Sequence, residues 1–407
     1  MTSSGSGRGY LFAAIAAGSV FALTLGISQA RPLFIGAINS QTGIGYASIS
    51  LAFAIAQLIW GVAQPVAGAI ADRNGPRGVM LAGLLLLVAA TIATPFATQA
   101  AHLILLIGFV AACGAGALGP ALLVSASNRW VPEAKRSFTA GIVNAGGSFG
   151  QFLLIPFAQL MIGVAGWQPA MMLLGATGLL ALPLLLYLTR EASAVPGPVS
   201  GAESLGQTVK DAVRDRDFLL LNAGFLTCGF HIAFIATHLP GVVASCELPA
   251  TVSAWSLALI GLFNIFGSLW IGRVIQTARM KFALAWLYFG RACLIVAFFL
   301  APKTTSTFLL FSIGIGFTYL STVPPTIGLV AKRFGPRYVA TLFGLVMLGH
   351  QVGGFLGAWL GGRAFETSGN YDWMWWADIA LCLFAAAVHL PIRETPAPVQ
   401  AAPAAAA

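Results

Sequence analysis

"GAIADRNGPRGV", residues 68–79, is a polar, glycine-marked turn between two oily runs. Before it stands "SISLAFAIAQLIWGVAQPVA" (48–67), and after it "MLAGLLLLVAATIATPFAT" (80–98). Each run is about 20 residues long, enough for one helix to cross the hydrocarbon core of a bilayer. The turn gathers Asp72, Arg73 and Arg77 where one such helix ends and the next begins. It reads as a short loop at the water boundary of a membrane hairpin.

The rest of the chain agrees. Of 407 residues, 58% are hydrophobic and 8% charged; a soluble domain carries roughly 25% charged residues. A chain this apolar has lipid as its natural solvent. The polar start "MTSSGSGRGY" carries no secretory cleavage signal, so the N-terminus is expected to be retained. Twelve spans are predicted: 10–37, 47–71, 79–98, 102–127, 138–162, 168–188, 218–242, 252–275, 282–302, 307–330, 339–360 and 373–391. Helices are expected, since lipid offers the backbone no hydrogen-bond partner.

The net charge of +9 is distributed in a telling way. Basic residues fill alternate loops: Arg73 and Arg77; Arg129, Lys135 and Arg136; Arg190, Lys210, Arg214 and Arg216; Arg273, Arg279 and Lys281; Lys332, Arg333 and Arg337. The other loops hold Lys303, Arg363 and little else. This asymmetry places the basic loops and both termini in the cytoplasm. It speaks for a membrane and against nucleic acid. The five cysteines form no CxxC pair and read as packing residues.

The spans divide into two sets of six. Residues 1–189 form an N-terminal six-helix bundle, 190–217 a cytoplasmic linker, 218–393 a C-terminal six-helix bundle and 394–407 a low-complexity, disordered tail. The two bundles echo each other. Gly141, Gly146 and Gly150 recur as Gly344, Gly349 and Gly353, an offset of 203 (344 − 141). Glycines at such spacing let helices approach closely. Two similar bundles facing one another are the architecture of a transporter that rocks around a central site.

Polar groups inside spans are costly and mark candidate sites. Arg31 lies toward the outer end of span 1, where it either snorkels to the interface or attracts an anion. Arg291 sits near the midplane of span 9, either paired with Asp378 of span 12 or holding a substrate carboxylate. His231, on span 7, and His350, on span 11, are candidates for proton coupling, because imidazole changes charge near neutral pH. His238 shares the face of His231, nearer the outer surface. Asn144, Gln151, Asn264, Tyr319 and Gln351 complete the expected substrate-binding set. Pro324-Pro325 is expected to break span 10. No cysteine or carboxylate accompanies the histidines at metal-ligand spacing, and no phosphate-binding loop or catalytic nucleophile is found, so no metal, cofactor or enzymatic activity is expected.

Gly68, Asp72, Arg73, Gly75 and Arg77 resemble the loop 2–3 signature of the major facilitator superfamily, G-x-x-x-D-R-x-G-x-R. The resemblance implies an all-α membrane protein of twelve transmembrane helices in two six-helix bundles. In that family the loop latches one conformation, and the five residues are assigned here as such a latch. The segments 49–78, 128–159 and 349–376 are similar to bacterial relatives of the monocarboxylate and oxalate/formate porters. Arg31 matches their basic residue on helix 1, whereas Asn264 and Ser268 stand where their helix 8 carries Asp and Arg. The resemblance implies a monomer in the inner membrane of a bacterium. It would move a small organic anion, with protons or a counter-anion as its partner. Efflux of neutral or amphipathic compounds is the alternative.

Overall fold

The structure, a computed structural model, describes residues 7–128, 130–190, 208–335 and 339–395. Among them every regular element is helical. Eleven helices are long and apolar enough to cross a membrane: α1 (Gly9–Thr42), α2 (Tyr46–Asn74), α3 (Pro76–Phe96), α4 (Ala100–Ser127), α5 (Phe138–Ala165), α6 (Trp167–Thr189), α7 (Arg216–Ser245), α8 (Ala250–Val274), α9 (Met280–Leu300), α10 (Thr305–Phe334) and α11 (Thr341–Ser368). The twelfth, α12 (Asp372–His389), has 18 residues. It falls short of the other eleven because Asp372, Asp378 and His389 dilute its apolar character. Most of the expected linker (191–207), the tail from 396, and Arg129 and Arg337 of the basic loops lie outside the described residues.

Two breaks shape the interior. α1 tightens into a 3-10 turn over Arg31–Phe34 and then continues as helix over Ile35–Thr42. Pro32 sits at the start of that turn, where its missing N–H and its ring interrupt the ladder. α10 is helical over Thr305–Thr318 and Val323–Phe334, and the residues between are turns and bends. Pro324 and Pro325 lie in the first turn of the second piece, where proline is tolerated. The expected break therefore falls just ahead of the prolines.

The repeat in the sequence is a repeat in packing. A side chain on Gly146 would strike the backbone of Gly18, and one on Gly150 the carbonyl of Ala22, so α5 lies tight on α1. A side chain on Gly349 would strike Asn222, and one on Gly353 the carbonyl of Leu226, so α11 lies tight on α7 in the same register. Small residues let the helix axes come together where lipid supplies no hydrophobic drive.

Two further pairs join the first six helices to the last six. α2 packs on α11 and α5 on α8. Their contacts lie away from the basic loops. Tyr46 meets Phe365 edge-on at 4.8 Å, Gly362 leaves room for Ser50, and Gly61 abuts Gln351. On the other seam Phe152 faces Trp255 at 6.4 Å, and Gly261 abuts Ser148 and Gln151. Toward the basic loops the same four helices separate: around Gly68, Gly141, Gly272 and Gly344 there is open space within 4 Å. The result is a cleft that is open at the basic end and sealed at the other.

At the basic end a charge cluster ties the starts and ends of α7, α10 and α12. Arg333 lies 2.6 Å from Asp215 and 3.0 Å from Asp217, and Arg393 lies 2.9 Å from Asp217. Asp215 also caps α7 by accepting from the Phe218 N–H at 3.0 Å. Burial raises the Asp215 carboxyl, but the hydrogen bonds and charge of Arg333, with the Phe218 N–H, outweigh it and hold it below the usual carboxylate range. Sequence patterning missed this clamp, because its members come from segments more than 100 residues apart.

Candidate functional site

Arg31 is not at the outer mouth. α1 runs eleven residues past it to Thr42, and its side chain is only 5% exposed. Snorkelling to the interface is therefore excluded. The Arg31–Phe34 turn packs against α5 and α6 of its own bundle and against α7 across the seam. Nε and Nη1 are buried with no hydrogen-bond partner among the described residues. An unpaired buried cation is unfavourable, and an anion placed beside it would relieve that cost.

Three other expected binding residues serve to join helices. Gln151 donates from Nε2 to the carbonyl of Leu257 at 2.9 Å, binding α5 to α8. Asn264 donates to Ser148 Oγ at 2.9 Å and accepts the Leu320 N–H at 3.0 Å, which satisfies the break in α10. Tyr319 is buried within that break and donates its hydroxyl to the carbonyl of Ile232 at 3.3 Å. The Gln29 side chain of α1 lies within reach of the same hydroxyl. The Gln151–Leu257 and Asn264–Ser148 bonds cross from α5 to α8 and close that seam.

Asn144 lies on the α5 face that carries Ser148 and Gln151, one step toward the open end. It is exposed and donates only to its own Ala140 carbonyl, at 2.9 Å. Gln351 is buried beside Gly61, and its Oε1 is unpartnered. His350 is also buried, with the Cys228 thiol within reach of its ring, which leans on Phe225 at 5.1 Å.

The expected pairing of Arg291 with Asp378 is not what forms. Arg291 is fully buried and donates from Nη2 to the carbonyls of Thr318 and Tyr319, at 2.5 and 3.1 Å. Those carbonyls are freed by the α10 break. Nη1 reaches Cys228 Sγ at 3.6 Å, and the guanidinium lies 5.3 Å from the Tyr288 ring centre. Arg291 thus holds the broken helix from behind, away from the seams.

Asp378 instead meets His231, with Nδ1 and Oδ2 2.7 Å apart and both side chains fully buried. Cys382 stands one turn further along α12, and the three ligand-type atoms lie within 4.8 Å of one another. The expectation that no carboxylate or thiol accompanies the histidines is therefore corrected: packing of α7 on α12 supplies both. The 2.7 Å contact is a direct hydrogen bond, and Arg291 already acts on His231 and Cys382 with its positive charge. His238 is separate, bonded from Nε2 to the carbonyl of Ala358 at 2.7 Å.

Of the five expected latch residues, Gly68 and Asp72 border a cavity. Asp72, Arg73 and Arg77 are exposed at the open end, and Asp72 has no hydrogen-bond or ion-pair partner among the described residues. Gly75 has φ +84°, the left-handed region that glycine adopts without strain, and so makes the tight turn. A cavity of about 190 Å³ beside Asp72 lies between α2 and α4, lined by Gln64, Gly68, Gly116, Gly119 and Ser125.

Comparison with known proteins agrees with this geometry. The family model described as Major Facilitator Superfamily matches residues 16–358. The monocarboxylate transporter 13 of Rattus norvegicus is 26% identical over 348 residues, covering 83% of this chain and 77% of its own. The oxalate:formate antiporter of Oxalobacter formigenes is 24% identical over 246 residues, covering 59% and 57%. A crystal structure of a bacterial homolog of the human lysosomal transporter Spinster superposes with a TM-score of 0.71 at 17% identity, covering 95% of each chain, which shows the shared fold. The chain is a membrane transporter, not an enzyme, and it belongs to the major facilitator superfamily.

Proposed function

We propose that this transporter moves a small organic anion, a monocarboxylate by preference, across a bacterial inner membrane by alternating access. The observation that carries the reading is Arg31: a cation nearly wholly buried, unpaired among the described residues, and set where α1 is broken against α7. One carboxylate there would supply the missing counter-charge. Gln29 and Tyr319 stand nearby at the joint between the two halves. The relatives named for monocarboxylates and for oxalate and formate support the same substrate class. With the basic loops in the cytoplasm, the cleft is the inward-open state.

A thermal-shift screen of the purified protein tests this. The panel is formate, acetate, lactate, pyruvate and oxalate, each beside its neutral amide. A ligand that binds only the folded protein raises its melting temperature with concentration. At least one carboxylate should do so, its amide should not, and Arg31→Gln should abolish the shift. Shifts by amides or apolar amines alone would favour an efflux role for neutral or amphipathic compounds. In such a protein Arg31→Gln would leave the shifts unchanged.

A further inference from the structure

Of the acidic residues in the described helices, Asp378 is the one that lies more than a turn from a helix end. It is fully buried, deep in α12, and its only hydrogen-bond partner among the described residues is His231. With Nδ1 donating to the carboxylate, Nε2 of His231 is left as a bare acceptor, buried and without a partner among the described residues. Oδ1 of Asp378 is likewise unpartnered. The pair thus has an open place for one proton.

We propose that His231 and Asp378 together are the proton-loading site of this transporter, an inference that rests on the anion-transport reading above. The proton adds to His231 Nε2 and makes an imidazolium that Asp378 retains. It leaves from the same nitrogen when the substrate leaves.

The surrounding charges fit that role. α7 itself contributes Cys228, α9 contributes Tyr288 and Arg291, α10 Tyr319, α11 His350 and α12 Cys382. α8 brings no titratable side chain before Arg273. The α1 turn that carries Arg31 packs against α7. With His231 neutral and the Cys228 and Cys382 thiols protonated, Asp378 balances Arg291 and the cluster carries no net charge. Adding a proton leaves one positive charge, which a bound carboxylate then offsets. Proton and anion each make the other less costly to bury.

A physical route joins the two sites. Tyr319 spans them: its hydroxyl bonds the Ile232 carbonyl next to His231 and lies within reach of Gln29, two residues before Arg31. Its own carbonyl accepts from Arg291. A movement of the α1 turn on anion binding is therefore felt at α7 and α10.

The test uses full-length protein in lipid vesicles and the labelled carboxylate that gives the largest thermal shift in the screen. Two assays are compared: accumulation driven by an imposed pH gradient with no internal anion, and anion exchange at equal pH. Asp378→Asn and His231→Gln should lose the first and keep the second. Where either fails to fold, Asp378→Glu, which keeps the carboxylate, should fold and move the pH midpoint of uptake. Gradient-driven accumulation that survives both neutral substitutions, or an unchanged midpoint in Asp378→Glu, overturns the proposal. So does a parent protein that exchanges anions but ignores the gradient, and the anion reading then stands. A parent that moves no carboxylate in either assay refutes the anion reading itself.

Discussion

Arg291 donates to the carbonyl of Thr318 at 2.5 Å, from a position on α9 to the last residue before α10 unwinds. A helix end inside a membrane leaves carbonyls without partners, and lipid cannot satisfy them. The guanidinium does so for two of them.

Replacing Arg291 with Met should therefore destabilise the fold more than it alters binding. Each orphaned carbonyl costs about 1–3 kcal/mol. A clear fall in melting temperature is expected, with the carboxylate affinity of the folded fraction preserved. An unchanged melting temperature with lost affinity would mean that Arg291 binds substrate.

The glycines divide into two classes with opposite behaviour. Gly150 and Gly353 sit against the Ala22 and Leu226 carbonyls, so valine at either should cost about 1–3 kcal/mol by overpacking. Gly141 and Gly344 face open space. Alanine there should hold or raise stability by up to about 1 kcal/mol, the helix preference of alanine over glycine. It should nonetheless slow transport, because closing the basic end brings these helices together. Melting curves and uptake rates report the two effects separately, and a parental uptake rate in Gly141→Ala and Gly344→Ala would contradict the closure.

Asp72 has no partner in this conformation, so Asp72→Asn should leave thermal stability and carboxylate binding close to the parent. The proposed latch would act in the state in which the basic end is shut. Uptake should fall while equilibrium binding persists. A full transport rate in Asp72→Asn would remove the latch assignment.

Acid should loosen the clamp at the base of α7. The folded carboxyl of Asp215 lies below its ordinary value, near 3.9. Its stabilisation is complete above that ordinary value and is lost as pH falls through the lower folded one. The parent should melt above Arg333→Gln from neutral pH down to about pH 4, and the gap should close in stronger acid. A gap that widens on acidification would reverse the sign and refute the ion-pair account.

Sequence alone determined the solvent of this protein, its helical class, its tandem plan and its basic end. All follow from local properties: 20-residue apolar runs, glycine spacing at a fixed offset, and lysines and arginines in alternate loops. Even the α10 break was legible, since Pro324 and Pro325 act on their own backbone. Tertiary structure decided which polar groups meet. Asp378 and His231 are 147 positions apart, and so are no motif. Arg31 read as a boundary residue because span length measured from one end said nothing of the turn at Pro32 or the helix beyond it. Gln151 and Asn264 read as substrate ligands, but their partners, the Leu257 carbonyl and Ser148, are chosen by the crossing of α5 and α8. Within lipid a polar group must find a partner inside the fold, and which one it finds depends on how the helices pack across distant stretches of chain.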